Sequence, residues 1–118
     1  MESRIDLDEA ARLIEARRAE WSAAGIQPDE LTWRDEESGW PPPITTNRAQ
    51  AVVPDSVGVC LRKGEQYGRV VLFKGGWADL EYWDADPGID VHEAPGWEDW
   101  LDLNRFDQLL NRLTALFR

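Results

Sequence analysis

The chain has 118 residues, enough for one hydrophobic core in a single domain spanning 1–118 without disulfides or metal. It carries 23 Asp and Glu against 13 Lys and Arg, a formal charge of −10. That balance argues against nucleic acid and anionic membrane as partners and favours a basic protein. One Cys and one His exclude an internal disulfide and a His/Cys zinc site. No run approaches the roughly 18 consecutive apolar residues of a membrane span, and the first residues lack a basic stretch followed by an apolar one. A reducing, cytoplasmic setting is therefore expected.

The first predicted element is a helix over residues 6–24. Asp6 can cap it, with Glu9 placed for a capping-box-like pair. Leu7, Ala10, Leu13, Ile14 and Trp21 form the apolar stripe, and Gly25 is a stop signal. A short strand is expected around Leu31–Arg34. Trp40-Pro41-Pro42-Pro43 reads as a stiff, polyproline-like loop, and the segment to Asn47 as irregular.

The centre is rich in strands. Ala49–Val53 is a candidate ended by Pro54. Val57–Arg62 follows, with Val57, Val59 and Leu61 on one face. Lys63-Gly64-Glu65 turns into Tyr67–Lys74, and Gly75-Gly76 turns into Trp77–Asp84, an antiparallel meander. Asp86-Pro87-Gly88 turns again, toward Ile89–Glu93, which Pro95-Gly96 ends. Leu103, Phe106, Leu110, Leu113 and Phe117 then trace a closing amphipathic helix, capped by Asp102 or Asn104. The expected fold is α+β: an antiparallel sheet of four to five strands flanked by an N-terminal and a C-terminal helix.

A search for chemistry yields no catalytic residue, metal site or cofactor. His92, the lone imidazole, reads as an edge-strand residue, and Cys60 as structural. The glycines match no phosphate loop. The stretch Asp84–Asp90, "DADPGID", lacks the calcium-loop spacing, because its twelfth position is Pro95.

What stands out is the pairing of indoles with acids. Ten acids lie between Asp79 and Asp107, with Arg105 the single base among them, and four of the seven Trp residues lie at 77, 83, 97 and 100. In "GGWADLEYWD", Ala78, Leu80 and Tyr82 point one way and suit the core. Trp77, Asp79, Glu81 and Trp83 point the other way, and burying two unpaired carboxylates is costly, so this side is expected to face solvent. Asp84 and Asp86 extend the acidic set. Trp97, Glu98, Asp99 and Trp100, "WEDW", repeat the chemistry, with the two indoles suited either to core or to surface. Tryptophan beside carboxylate suits docking of a basic protein, since the ring supplies contact area and the acid selects Arg and Lys.

The strand "GGWADLEYWD", the segment "WEDW" and the helix "FDQLLNRLTALF" resemble the small acidic immunity proteins of bacterial polymorphic-toxin and contact-dependent inhibition systems. The resemblance implies a cytoplasmic antitoxin that binds and occludes a cognate toxin domain with a basic active-site cleft. Its partner-binding residues would be Trp77, Asp79, Glu81, Trp83, Asp84, Asp86, Trp97, Glu98, Asp99 and Trp100. The alternative is an effector chaperone or adaptor that binds a basic protein without inhibiting an enzyme.

Overall fold

The computed structural model describes residues 2–36, 39 and 43–118. The part of the expected proline loop at Trp40, Pro41 and Pro42 lies outside these residues. The described chain runs α1 (Leu7–Glu15), α2 (Arg18–Ala23), β1 (Gln27–Pro28), β2 (Thr32–Asp35), β3 (Ile44–Thr45), β4 (Pro54–Lys63), β5 (Gln66–Phe73), β6 (Trp77–Asp84), β7 (Ile89–Glu93) and α3 (Leu103–Leu116). It is an α+β fold. All strand pairs are antiparallel, in the order β3-β2-β4-β5-β6-β7, with β1 alongside the far end of β4. The sheet has seven strands rather than four or five, because the two-residue β1 and β3 pair at its margin.

The meander β4–β7 follows the turn residues. Gly64, Gly76 and Gly88 each adopt positive φ between consecutive strands, as tight reversals require. β6 and β7 begin and end where the alternation and the flanking turns place them. At Ala49–Val53 the expectation fails. Residues Arg48–Gln50 form a 3-10 turn, capped by the Asn47 side chain, which accepts from the Ala49 N–H at 3.0 Å. That local bond competes successfully with extended pairing. Pro54 opens β4 instead of closing an earlier strand, a first-residue position where its missing N–H is tolerated.

The N-terminal helix is broken. Asp6 caps α1 as expected, accepting from the N–H groups of Asp8 and Glu9 at 2.9 and 3.2 Å. Glu9 turns to Arg12 rather than back to the cap. The chain breaks at Ala16–Arg17 and resumes as α2, which ends at Gly25 with φ of 76°. Arg17 occupies the break. Its buried guanidinium donates to Asn111 Oδ1 at 2.7 Å and to the backbone and side-chain oxygens of Asp107 at 2.8 Å. A residue on the expected apolar helix thus becomes a polar bolt onto α3.

All three helices belong to one side of the sheet. α1 packs on β4 and on α3, and α3 packs on β5 and β6. The core beneath them joins Ile14, Trp21, Phe106, Leu110 and Leu113 to Val57, Val59, Leu61, Val70, Leu72, Ala78 and Leu80. Each fully buried side chain of this kind contributes about 1.5–3 kcal/mol of hydrophobic stabilisation. Trp21 is wholly buried, as its stripe position implied, and its Nε1 donates to Thr114 Oγ1 at 2.8 Å.

The end of the chain closes over β5 and β6. Phe117 meets Tyr82 edge-on, with ring centroids 5.2 Å apart, and lies over Gly68, where any Cβ would come within 2.8 Å of its ring. Arg118 then pairs with Asp84, whose carboxylate also accepts from the Asp86 N–H at 3.1 Å. Asp84 is 3% exposed. Removing the cation from a buried carboxylate is expensive, though Arg118 itself is half exposed, which moderates the loss. Arg118→Ala is expected to lower unfolding stability by about 2 kcal/mol, measured by urea titration at pH 7.

Candidate functional site

With the helices on one side, the other face of the sheet carries no covering element among the described residues. The strand registers define its rows. Arg62, Tyr67, Trp83 and Asp90 form one row across β4–β7. Cys60, Arg69, Glu81 and His92 form the next. Gly58, Val71 and Asp79 follow, beside Thr32 of β2. Ser56, Phe73 and Trp77 complete the set, beside Arg34 and Ile44. The alternation expected for β6 therefore holds. Ala78, Leu80 and Tyr82 are buried under the helices, while Trp77, Asp79, Glu81 and Trp83 lie on the uncovered face.

The four differ in their freedom. Trp83 is 49% exposed. Trp77 is half-buried because it stacks on Phe73 at 4.0 Å and 14° and meets Trp97 edge-on at 5.3 Å. Glu81 lies 3.4 Å from Arg69 and 3.9 Å from His92 Nε2. Asp79 has no hydrogen-bonding or ionic partner among the described residues. It stands at the rim of a cavity of about 320 Å³ lined also by Thr32, Ser56, Cys60, Arg69 and Val71. Gly58 of β4 lies between Thr32 and Val71, and a Cβ there would approach Thr32 Oγ1 and Val71 Cγ2 to 3.1 Å.

Asp84 is a correction. Two residues on from Tyr82 it shares the core-facing side of β6, buried and paired with Arg118, so it cannot present its charge to a partner. Asp86, by contrast, is exposed. Trp97 and Trp100 are 71% and 54% exposed, which answers the open question about them: neither is core. Glu98 and Asp99 are exposed between them.

The segment carrying these residues is held by the backbone. The Ala78 N–H donates to Pro95 O at 3.0 Å and the Leu101 N–H to Gly76 O at 2.7 Å. Gly76 and Gly96 have φ of 89° and 90°, and a Cβ on Gly96 would fall 2.4 Å from Gly76 O. Only glycine permits this approach. It brings Trp77, Trp97 and Trp100 around a cleft of about 300 Å³ at the end of the face. The Arg105 guanidinium fixes the exit from the segment, donating to the backbone oxygens of Asp99 and Trp100 at 3.0 and 2.7 Å.

The acidity of residues 79–107 is lower in space than in sequence. Glu81 pairs with Arg69, Asp84 with Arg118, Glu93 with Arg112, Asp99 with Arg105 and Asp107 with Arg17. Asp79, Asp86, Asp90, Glu98 and Asp102 have no cation partner among the described residues, and Asp102 is spent on capping α3, accepting from the Arg105 N–H at 2.7 Å. The free negative charge of the site thus sits at Asp79 and Asp90 on the sheet, and at Asp86 and Glu98 on the loops.

Cys60 and the lone imidazole of His92 are far apart. Cys60 is on β4 and His92 on β7, with Arg69 and Glu81 between them in one row. Three strand spacings separate them by about 14 Å. Cys60 instead touches the Tyr67 hydroxyl at 3.4 Å. Among the described residues no group of three or more His, Cys, Asp or Glu is placed to hold a metal ion. No helix is long and apolar enough to cross a membrane, again among the described residues.

Burial first, then the Cys60 thiol, push the Tyr67 phenol up to about 12. The folded protein therefore holds this proton more tightly than the unfolded chain, whose tyrosine titrates near 10. The associated stability is complete below about pH 10 and disappears as the pH rises from about 10 to 12. In a Tyr82→Phe variant, where Tyr67 is the remaining tyrosine, tyrosinate absorbance is expected to appear with a midpoint of about 12. A midpoint near 10 would mean that water reaches the phenol freely.

Searches against protein-family models, curated proteins and solved structures return no match to this chain.

Proposed function

We propose that the chain is a non-catalytic, cytoplasmic immunity protein that binds and occludes a cognate bacterial toxin domain with a basic cleft. The observation that carries this reading is the sheet face left bare by all three helices. It bears the large exposed indole of Trp83 and the unpaired carboxylates of Asp79 and Asp90, with Trp97 and Trp100 exposed at its end. An apolar ring left in water gains on transfer to a partner, and an unpaired carboxylate beside it rewards a partner bringing Arg or Lys. The separation of Cys60 from His92 agrees with a binding role. Acids would stand in for the polyanionic groups of the toxin's substrate, speeding capture, while desolvated indoles slow release.

The test is affinity capture from the native cell, followed by assay of the captured protein with and without this chain. The reading expects a basic domain whose activity is suppressed in the complex. A basic partner that stays fully active in the complex would indicate an adaptor or chaperone. Capture of an acidic partner, or none, would overturn both.

A further inference from the structure

The cleft between Trp77, Trp97 and Trp100 already holds a cation belonging to the chain itself. The Arg4 guanidinium lies 3.6 Å from the centre of the Trp100 ring. Its backbone is fixed, since the Arg4 N–H donates to Lys74 O at 2.7 Å. The side chain is held more lightly, by the Trp100 face and by the exposed carboxylate of Glu2 at 3.3 Å. Trp77 and Trp97 form a perpendicular corner on the other wall. Trp97 and Trp100 stand open to solvent, 71% and 54% exposed, while Trp77 rests on Phe73. The glycine contact at Gly76 and Gly96 nevertheless builds the cleft with backbone that tolerates no other residue.

We propose that this cleft is an arginine-binding site: it takes a guanidinium side chain of the protein partner, which displaces Arg4 from the Trp100 face. Indole is the best aromatic receptor for a cation, and a planar guanidinium can stack on it as well as attract its negative face. Arg4 shows that the geometry accepts such a group. Glu98, exposed in the same segment and without a cation partner among the described residues, adds charge that draws a cation toward the rings. The inference rests on the partner-binding reading above and specifies one contact within it. Arg4 then acts as an internal competitor, and the apparent affinity of the open cleft is reduced by the fraction of time Arg4 fills it.

The experiment is a titration of the full chain with N-acetyl-arginine amide, following the indole N–H resonances by two-dimensional NMR. N-acetyl-citrulline amide, a neutral shape mimic, is the control. Saturable shifts at Trp77, Trp97 and Trp100 with the arginine probe, and none with citrulline, are expected; Trp21, buried in the core, should stay fixed. Arg4→Gln should raise the apparent affinity at least about threefold by removing the competitor. Trp100→Ala should abolish the response while Trp21 keeps its native resonance, which reports an intact fold. Equal shifts with citrulline, no shifts, or an unchanged affinity in Arg4→Gln would overturn the site. Because the titration uses no partner, its failure leaves the bare sheet face standing as a docking surface. A failed capture from the native cell leaves the titration result as it is.

Discussion

Trp21→Ala is expected to lower unfolding stability by about 4 kcal/mol, a large share of the 5–15 kcal/mol typical of a domain. Trp21 is 0% exposed and lies on α2, within the core shared by the helices and the sheet. Truncation removes a whole indole from a close-packed core, and the lost transfer energy and the cavity add. The hydrogen bond contributes less to the loss. Thr114 Oγ1, which accepts from Trp21 Nε1, also donates to Leu110 O at 2.8 Å, so its proton stays satisfied in the variant. Trp21→Phe should therefore recover more than half of the loss, since it restores ring volume without the N–H. Urea unfolding with an unchanged slope is the measurement. A loss below about 2 kcal/mol for Trp21→Ala would mean that α2 does not seal this core. Trp83→Ala, on the opposite face and half exposed, should cost less than about 1 kcal/mol.

That contrast between two tryptophans was legible in the sequence, because Trp83 follows from the period of its strand and Trp21 from the stripe read over 6–24, although the break at Ala16–Arg17 puts Trp21 on a separate helix. Trp21 continues a helical stripe, and Trp83 falls on the odd side of a strand whose even side is Ala78, Leu80 and Tyr82. The meander was equally readable, since glycine turns separate short alternating runs. Other features depend on partners distant in sequence. The helical period over 6–24 gave no sign that Arg17 would interrupt it, because the cause is Asp107 and Asn111 on α3. Val52 and Val53 suggested a strand, but a single Asn47 cap bends the chain just before them. The placement of Trp97 and Trp100 turns on the touching backbones of Gly76 and Gly96, twenty residues apart. Local charge counting misled in the same way. Asp84 reads in sequence as part of an acidic surface, but Arg118 lies beside it, and the alternation that places Trp83 outward already places Asp84 inward. Arg17, Arg69, Arg112 and Arg118 all reach into the acidic stretch from outside it.

The uncovered face carries the other large effect, and here stability should hardly move. Asp79 and Trp83 lie four residues apart on β6, about 13 Å along the strand. They touch no common neighbour across the sheet: Asp79 faces Val71, and Trp83 faces Tyr67 and Asp90. Their contributions to a complex should therefore add. A central indole and a carboxylate meeting a desolvated cation are each worth about 2 kcal/mol as hot spots. The double replacement Asp79→Ala/Trp83→Ala is expected to weaken the captured complex by about 4 kcal/mol, roughly a thousandfold in Kd. The two single variants should differ in kind. Asp79→Ala should flatten the dependence of association rate on salt, because in the proposed complex the free carboxylate would steer a cationic partner, whereas Trp83→Ala should mainly hasten dissociation. Surface plasmon resonance at two ionic strengths separates these effects, with thermal unfolding of each variant as the check on fold. Undiminished affinity in the double variant, with the fold intact, would move the docking surface off β6. It would then fall to the loop segment of Trp97 and Trp100, whose exposed indoles do not depend on either residue.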